Sequence, residues 1–190
     1  MNHPTTPAAA STHTSAPPGR CWVLGDDINT DYLAPGKYMK YGIEDIARHC
    51  LEDVLPSFAT GVRPGDLIIA GRNFGTGSSR EQAVEVLRHL GVQCVIARSF
   101  AGLFYRNGFN LGLPLLLGPA DMPAPAWGIA PGTPAVLDLA QARLQLPDAR
   151  QLSCQPIPTH LLALVADGGL VPHLRRRIER QRPQHTRTAP

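Results

Sequence analysis

Lysine is nearly missing from this chain. Of 190 residues only Lys37 and Lys40 are lysines, and the rest of the 18 Lys and Arg residues are arginines. Charged residues of both signs reach 17% and aromatics 6%, while hydrophobic residues reach 43%. Charge so sparse excludes a chain held open by self-repulsion, and the apolar share is enough to build a core. No apolar run approaches the roughly 20 residues of a membrane span. The first residues lack the apolar core of a secretory signal. No CxxC pair occurs: Cys21, Cys50, Cys94 and Cys154 stand 29, 44 and 60 residues apart, and no histidines cluster beside them at zinc-like spacing. Cys21 and Cys94 open apolar runs, where cysteine acts as a small buried hydrophobe. All four are expected to be reduced and structural, no metal is expected on this chain, and the expected compartment is the cytoplasm.

What is abundant is proline (19) and glycine (18), which means many turns without a low-complexity composition. The net charge of +3 is a property of one end. Residues 173–190 hold six arginines and one glutamate, so the rest of the chain is slightly acidic. The body therefore offers no basic face broad enough to make nucleic acid the main partner.

Residues 1–20 are Pro, Thr, Ser and Ala with almost no large apolar group, and read as a disordered extension. Order is expected from Cys21 to Leu24, a short strand, followed by the polar loop GDDINTDYLAPGKY. The spacing in IEDIARHCLEDVL predicts a helix over 43–55, ended by Pro56. Residues 66–70 read as a buried strand. The segment GRNFGTGSS leads into a helix over 79–90, closed by Gly91. Residues 92–97 read as a strand, 99–107 as a short helix with Phe100, Leu103 and Phe104 inward, and 113–117 as a strand. This alternation argues for a parallel sheet with helices packed on it. Beyond a Pro-rich connection, 135–139 and 142–146 alternate as an antiparallel hairpin. Residues 161–170 suggest a last short helix, and 171–190 a basic tail, itself readable as a helix with a solvated face. One ordered domain over 21–170 is expected.

Two segments carry candidate chemistry. In Ala70–Ala83 (AGRNFGTGSSREQA) the glycines permit sharp turns and close ligand approach. Ser78 and Ser79 fall where loop becomes helix, and Arg80 adds a forked guanidinium suited to a carboxylate or phosphate. The segment fits an anion cradle, but it fits a helix cap equally, with Gln82 completing a capping box. A Walker A loop would need a Lys, and a dinucleotide fingerprint a third Gly; both are missing. The second segment, Gly25–Asp31, places three carboxylates within six residues. They could hold a cation or orient a substrate, or simply bond local backbone.

Asn29-Thr30-Asp31, Asn73 to Glu81 (NFGTGSSRE), and Ala97 to Leu113 (ARSFAGLFYRNGFNLGL), in this order, resemble the small subunits of the isopropylmalate dehydratase branch of the aconitase family. The likeness covers about half the chain, from Trp22 to Leu117. It implies an α/β fold: an aconitase-like swivelling β/β/α domain with a mostly parallel central sheet flanked by helices. It also implies a large partner subunit carrying a 4Fe-4S cluster, with none bound by this chain. The implied reaction is that of a hydro-lyase, which dehydrates a 2-hydroxy diacid and rehydrates it with the hydroxyl moved.

By motif, the resemblance makes Ser78 the base that removes the proton beside the carboxylate. It makes Ser79 and Arg80 carboxylate ligands, and Asp31 the active-site aspartate. Tyr38, Met39 and Lys40 fall in the substrate-selecting loop, where related subunits often carry Tyr-Leu-Arg. The implied substrate is 2-isopropylmalate, isomerised to 3-isopropylmalate in leucine biosynthesis. The same chemistry on dimethylmalate, a methylmalate-type diacid or homoaconitate is the alternative, because Lys at 40 departs from the pattern. A non-catalytic RNA-binding or regulatory module is the alternative from another class.

Overall fold

A computed structural model describes residues 17–78, 80–119 and 127–181. Residues 1–16 of the expected extension over 1–20 and the last part of the basic tail lie outside the described residues. Seven strands form one sheet in the order β4-β3-β2-β1-β5-β6-β7. The first four, β1 (Gly19–Val23), β2 (Leu67–Ala70), β3 (Cys94–Ala97) and β4 (Leu115–Leu117), are parallel neighbours. β5 (Pro134–Asp138), β6 (Arg143–Gln145) and β7 (Gln151–Ser153) continue the sheet antiparallel from the far side of β1. The expected mixed α/β architecture is present. The hairpin gains a third strand, β7, whose QLS sequence is too short for its alternation to stand out.

The two central parallel strands read LIIA and CVIA, and every residue in both is buried. Continuous apolar runs of this kind belong to strands covered on both faces. The helices α1 (Thr30–Leu33), α2 (Ile43–Ala47), α4 (Glu81–His89) and α5 (Gly102–Asn110) pack around them, with the short α3 (Phe58–Gly61) between. α4 turns Ala83, Val84, Val86 and Leu87 inward. It ends as predicted at Gly91, whose φ of 80° suits glycine. Gly91 N–H donates to the Arg88 carbonyl and Val92 N–H to the Leu87 carbonyl, the two bonds of a Schellman motif.

Several boundaries differ from the sequence reading. Gly19 and Arg20 already belong to β1, because they pair with Ala135 and Pro134 of β5 and Arg20 is held by Asp66 on the other side. The helix expected over 43–55 stops at Ala47. Leu51 adopts a left-handed φ of 61° and gives its N–H to the Tyr32 carbonyl at 2.7 Å, so tertiary bonding replaces the helical ladder. Helix α5 starts three residues late, at Gly102, and leaves Leu103 48% exposed rather than inward. The C-terminal region forms two helices, α6 (Thr159–Asp167) and α7 (Leu170–Gln181), so the first part of the expected tail is helical. Asp167 bonds His173 and Arg176, tying α7 back to the end of α6.

Candidate active site at the carboxyl ends of the parallel strands

Because β1, β2 and β3 run parallel, the loops that follow them emerge along one edge. Open α/β sheets generally bind ligands at such an edge. The loops are joined by backbone pairing beyond the strands. Asn29 bridges Thr76, and Phe74 bridges Phe100. Gly75 N–H donates to the Ile28 carbonyl at 2.7 Å, Thr30 N–H to Thr76 at 2.8 Å, and Phe74 N–H to Ser99 at 3.0 Å. Gly75 has φ of 77°, and a Cβ there would fall 2.1 Å from the ring of buried Phe104. Only glycine lets the loop lie flat on α5 at that point.

This stitching brings three of the sequence-predicted residues together. The Arg80 guanidinium forms an ion pair with Asp31 and donates to the Ala34 carbonyl at 3.3 Å. The Arg80 side chain is 28% exposed and that of Asp31 57%, so the pair faces solvent and keeps free donors. Ser78 is exposed, and beneath it lies Thr30, only 1% exposed. The Thr30 hydroxyl donates to the Ser78 carbonyl at 3.0 Å, and the two hydroxyl oxygens are 3.4 Å apart. With its own proton committed to the carbonyl, Thr30 is left to accept from Ser78. Should Ser78 lose its proton, the Thr30 hydroxyl can rotate to donate to it. Sequence reasoning missed Thr30. It sits between two singled-out residues, but nothing in the string says that it faces a serine 48 positions away.

The capping-box reading is corrected: the N-cap position of α4 is Arg80, which makes no side-chain cap bond. Ser79 lies outside the described residues. The three carboxylates of the first loop do not converge. Asp26 accepts from Arg72 N–H at 2.9 Å, and Asp27 accepts from Asn73 Nδ2 at 2.9 Å and from Arg72 at 3.3 Å. The Asn73 bond, helped by Arg72, lowers the Asp27 carboxyl below its ordinary value. These two residues fasten loop to loop, and Asp31 alone turns to Arg80.

Tyr38 ends a 3-10 turn over Gly36–Tyr38, and Met39 and Lys40 follow it. Gly36 lies against Arg80: a Cβ there would stand 3.7 Å from both of its terminal nitrogens. The side chains that follow engage elsewhere. Tyr38 stacks on His49 with ring centres 3.6 Å apart, Met39 packs against the core, and exposed Lys40 holds its ammonium 5.1 Å from the centre of the Tyr41 ring.

The described residues do not fit an iron-sulfur cluster. All four cysteines are buried, and among the described residues no three His, Cys, Asp or Glu side chains gather as a metal-holding group. Burial pushes the Cys21 thiol up to about 12 and Cys154 to about 11, far from the thiolate that metals require. Among the described residues, no helix is long and apolar enough to cross a membrane.

Fold and site together define an aconitase-type domain, and residues 43–119 match the Aconitase C-terminal domain family. The chain is 41% identical over 162 residues to the 3-isopropylmalate dehydratase small subunit 1 of Thermotoga maritima, covering 83% of this chain and 94% of that one. It is 40% identical over 163 residues to the methanogen homoaconitase small subunit of Methanothermobacter thermautotrophicus, covering 85% and 92%. The crystal structure of the 3-isopropylmalate dehydratase from Methanocaldococcus jannaschii superposes with a TM-score of 0.78 at 36% identity, covering 86% of this chain and 96% of that one. The chain belongs to the aconitase family, among the 3-isopropylmalate dehydratase small subunits.

Proposed function

We propose that this chain is the small subunit of a two-chain hydro-lyase that converts 2-isopropylmalate to 3-isopropylmalate by dehydration and rehydration. The observation that carries the reading is the convergence of Asp31, Arg80, Thr30 and Ser78 on one solvent-open edge, in a chain of this family. A 4Fe-4S cluster on the large subunit supplies the Lewis acid for the substrate hydroxyl.

This chain's residues do the rest. Arg80, aimed by Asp31 and the Ala34 carbonyl, offers its free N–H groups to a substrate carboxylate. Ser78 Oγ takes the proton from the carbon beside that carboxylate as the hydroxyl departs from the neighbouring carbon. Ser78 is the oxyanion before that transfer, held by the Thr30 hydroxyl turned to donate to it, a fixed donor that a serine in open water would lack; on taking the proton Ser78 becomes a neutral hydroxyl. Ser79 adds a second carboxylate donor. In the hydration the hydroxyl adds to the carbon that lost the proton, and Ser78 gives its proton to the carbon that lost the hydroxyl, which moves the hydroxyl and restores the Ser78 oxyanion.

The test is reconstitution with the large subunit and assay of 2-isopropylmalate. Turnover that depends on both chains and is lost in Ser78→Ala is the expected result; turnover kept by that variant would refute the base assignment. A second reading, a homoaconitate-type substrate, is favoured by the exposed ammonium of Lys40, which could meet a third carboxylate. Relative rates on the two diacids decide between them.

A further inference from the structure

A charged cluster beside the site takes no part in the steps above. Glu52 Oε1 lies 2.7 Å from Lys37 Nζ, and Glu52 Oε2 lies 2.6 Å from His49 Nδ1. The Tyr38 hydroxyl reaches the same carboxylate at 3.5 Å. Tyr38 and His49 stack with their planes 14° apart, and the Lys37 ammonium sits 4.9 Å from the centre of the Tyr38 ring. Lys37, with His49, holds the Glu52 carboxyl below its ordinary range. Half-exposed ion pairs of this kind contribute little to global stability. Their local effect is to fix a segment that begins at a glycine.

The cluster closes a ring of contacts. Gly36, next to Lys37, abuts the Arg80 guanidinium, and Arg80 pairs with Asp31. Tyr32, next to Asp31, accepts the Leu51 N–H at 2.7 Å, and Leu51 precedes Glu52. The backbone at Leu51 is left-handed, with φ of 61°. Glu52 is therefore registered to Asp31 through one backbone bond, and it in turn grips the segment that starts against Arg80.

The geometry points to Glu52 as a specificity-determining positioning residue. Through Lys37 and Tyr38 it sets where Met39 and Lys40 stand relative to Arg80, and so which group on the third carbon of the diacid is accepted. This rests on the proposed function for its substrate class, though the loop anchoring does not.

The test takes Lys37→Met, at a side chain 61% exposed that cannot compromise the core, together with Glu52→Gln and the double variant. In the two-subunit enzyme each single change is expected to raise KM for the preferred diacid about three- to fivefold while kcat holds, from the loss of one exposed ion pair. The ratio of kcat/KM between 2-isopropylmalate and homoaconitate shifts with it. The double variant is no worse than the worse single, because both remove one link. In the full chain, amide hydrogen exchange quickens at residues 37–41 and not in α4. Unchanged exchange there overturns the inference whether or not either diacid is turned over. Falling kcat with an unmoved substrate ratio does so too, since a purely structural role would give that pattern. An inactive wild-type pair with quickened exchange in the variants would instead sink the proposed function and leave the anchoring supported.

Discussion

The two ends of the same parallel strands each carry an aspartate and an arginine, and they are built in opposite ways. At the amino end, Asp66 is 3% exposed and accepts five hydrogen bonds, from Arg20 N–H, Nε and Nη2, Trp22 Nε1 and Arg63 N–H. Arg20 spends another donor on the Gly61 carbonyl at 2.5 Å. At the carboxyl end, Asp31 is open to solvent, and among the described residues Arg80 is tied to it by one nitrogen. The saturated Asp66 carboxylate is buried and has nothing left to offer a ligand, so it reads as architecture. The open pair keeps donors to spare, and that surplus is what a binding site needs.

Variants can break this comparison. Ser78→Ala acts at the open end and should lower kcat roughly 10²–10⁴-fold, the usual weight of a general base, with the fold and subunit assembly intact by circular dichroism and gel filtration. Asp66→Asn acts at the closed end. It should cost about 2–3 kcal/mol in denaturant unfolding, because several donors lose a charged acceptor, while kcat per folded molecule stays at the wild-type level. A drop in kcat from Asp66→Asn would erase the distinction between the ends. Arg80→Lys keeps the charge but loses the fork, and should raise KM about tenfold with little change in melting temperature.

The smallest effect sharpens the contrast through pH. Burial pushes the Asp66 carboxyl up, but Arg20, Trp22 and the Arg20 and Arg63 amides outweigh it and hold it below 3.8. A depressed folded value means stabilisation present above the unfolded value and lost as pH falls through the folded one. Wild type should therefore lose its melting-temperature advantage over Asp66→Asn as the pH is lowered from 6 toward 3.

Legibility of the sequence followed the same division. LIIA and CVIA announced buried parallel strands because their side chains must be apolar on both faces. Gly91 announced a helix end through its backbone alone. The pairing of Asp31 with Arg80 was within reach only as two separate motifs, since a contact spanning 49 positions is created by strand order rather than by spacing. Thr30 was missed for that reason. The over-long helix at 43–55 failed differently: Cys50 and Leu51 are buried as the helical stripe requires, but a single bond from Leu51 to Tyr32 redirected the backbone. Periodicity identifies which side chains go inside more reliably than it identifies the backbone that takes them there.

The bridges from Asn29 to Thr76 and from Phe74 to Phe100 make the three loops one stiff plate rather than three flaps. Their disorder is surrendered once, when the chain folds, and does not have to be surrendered again at each encounter with a diacid. What remains to move is the plate as a whole, so the rate at which the two subunits approach and separate, rather than any rearrangement within this chain, would set how often the site is completed.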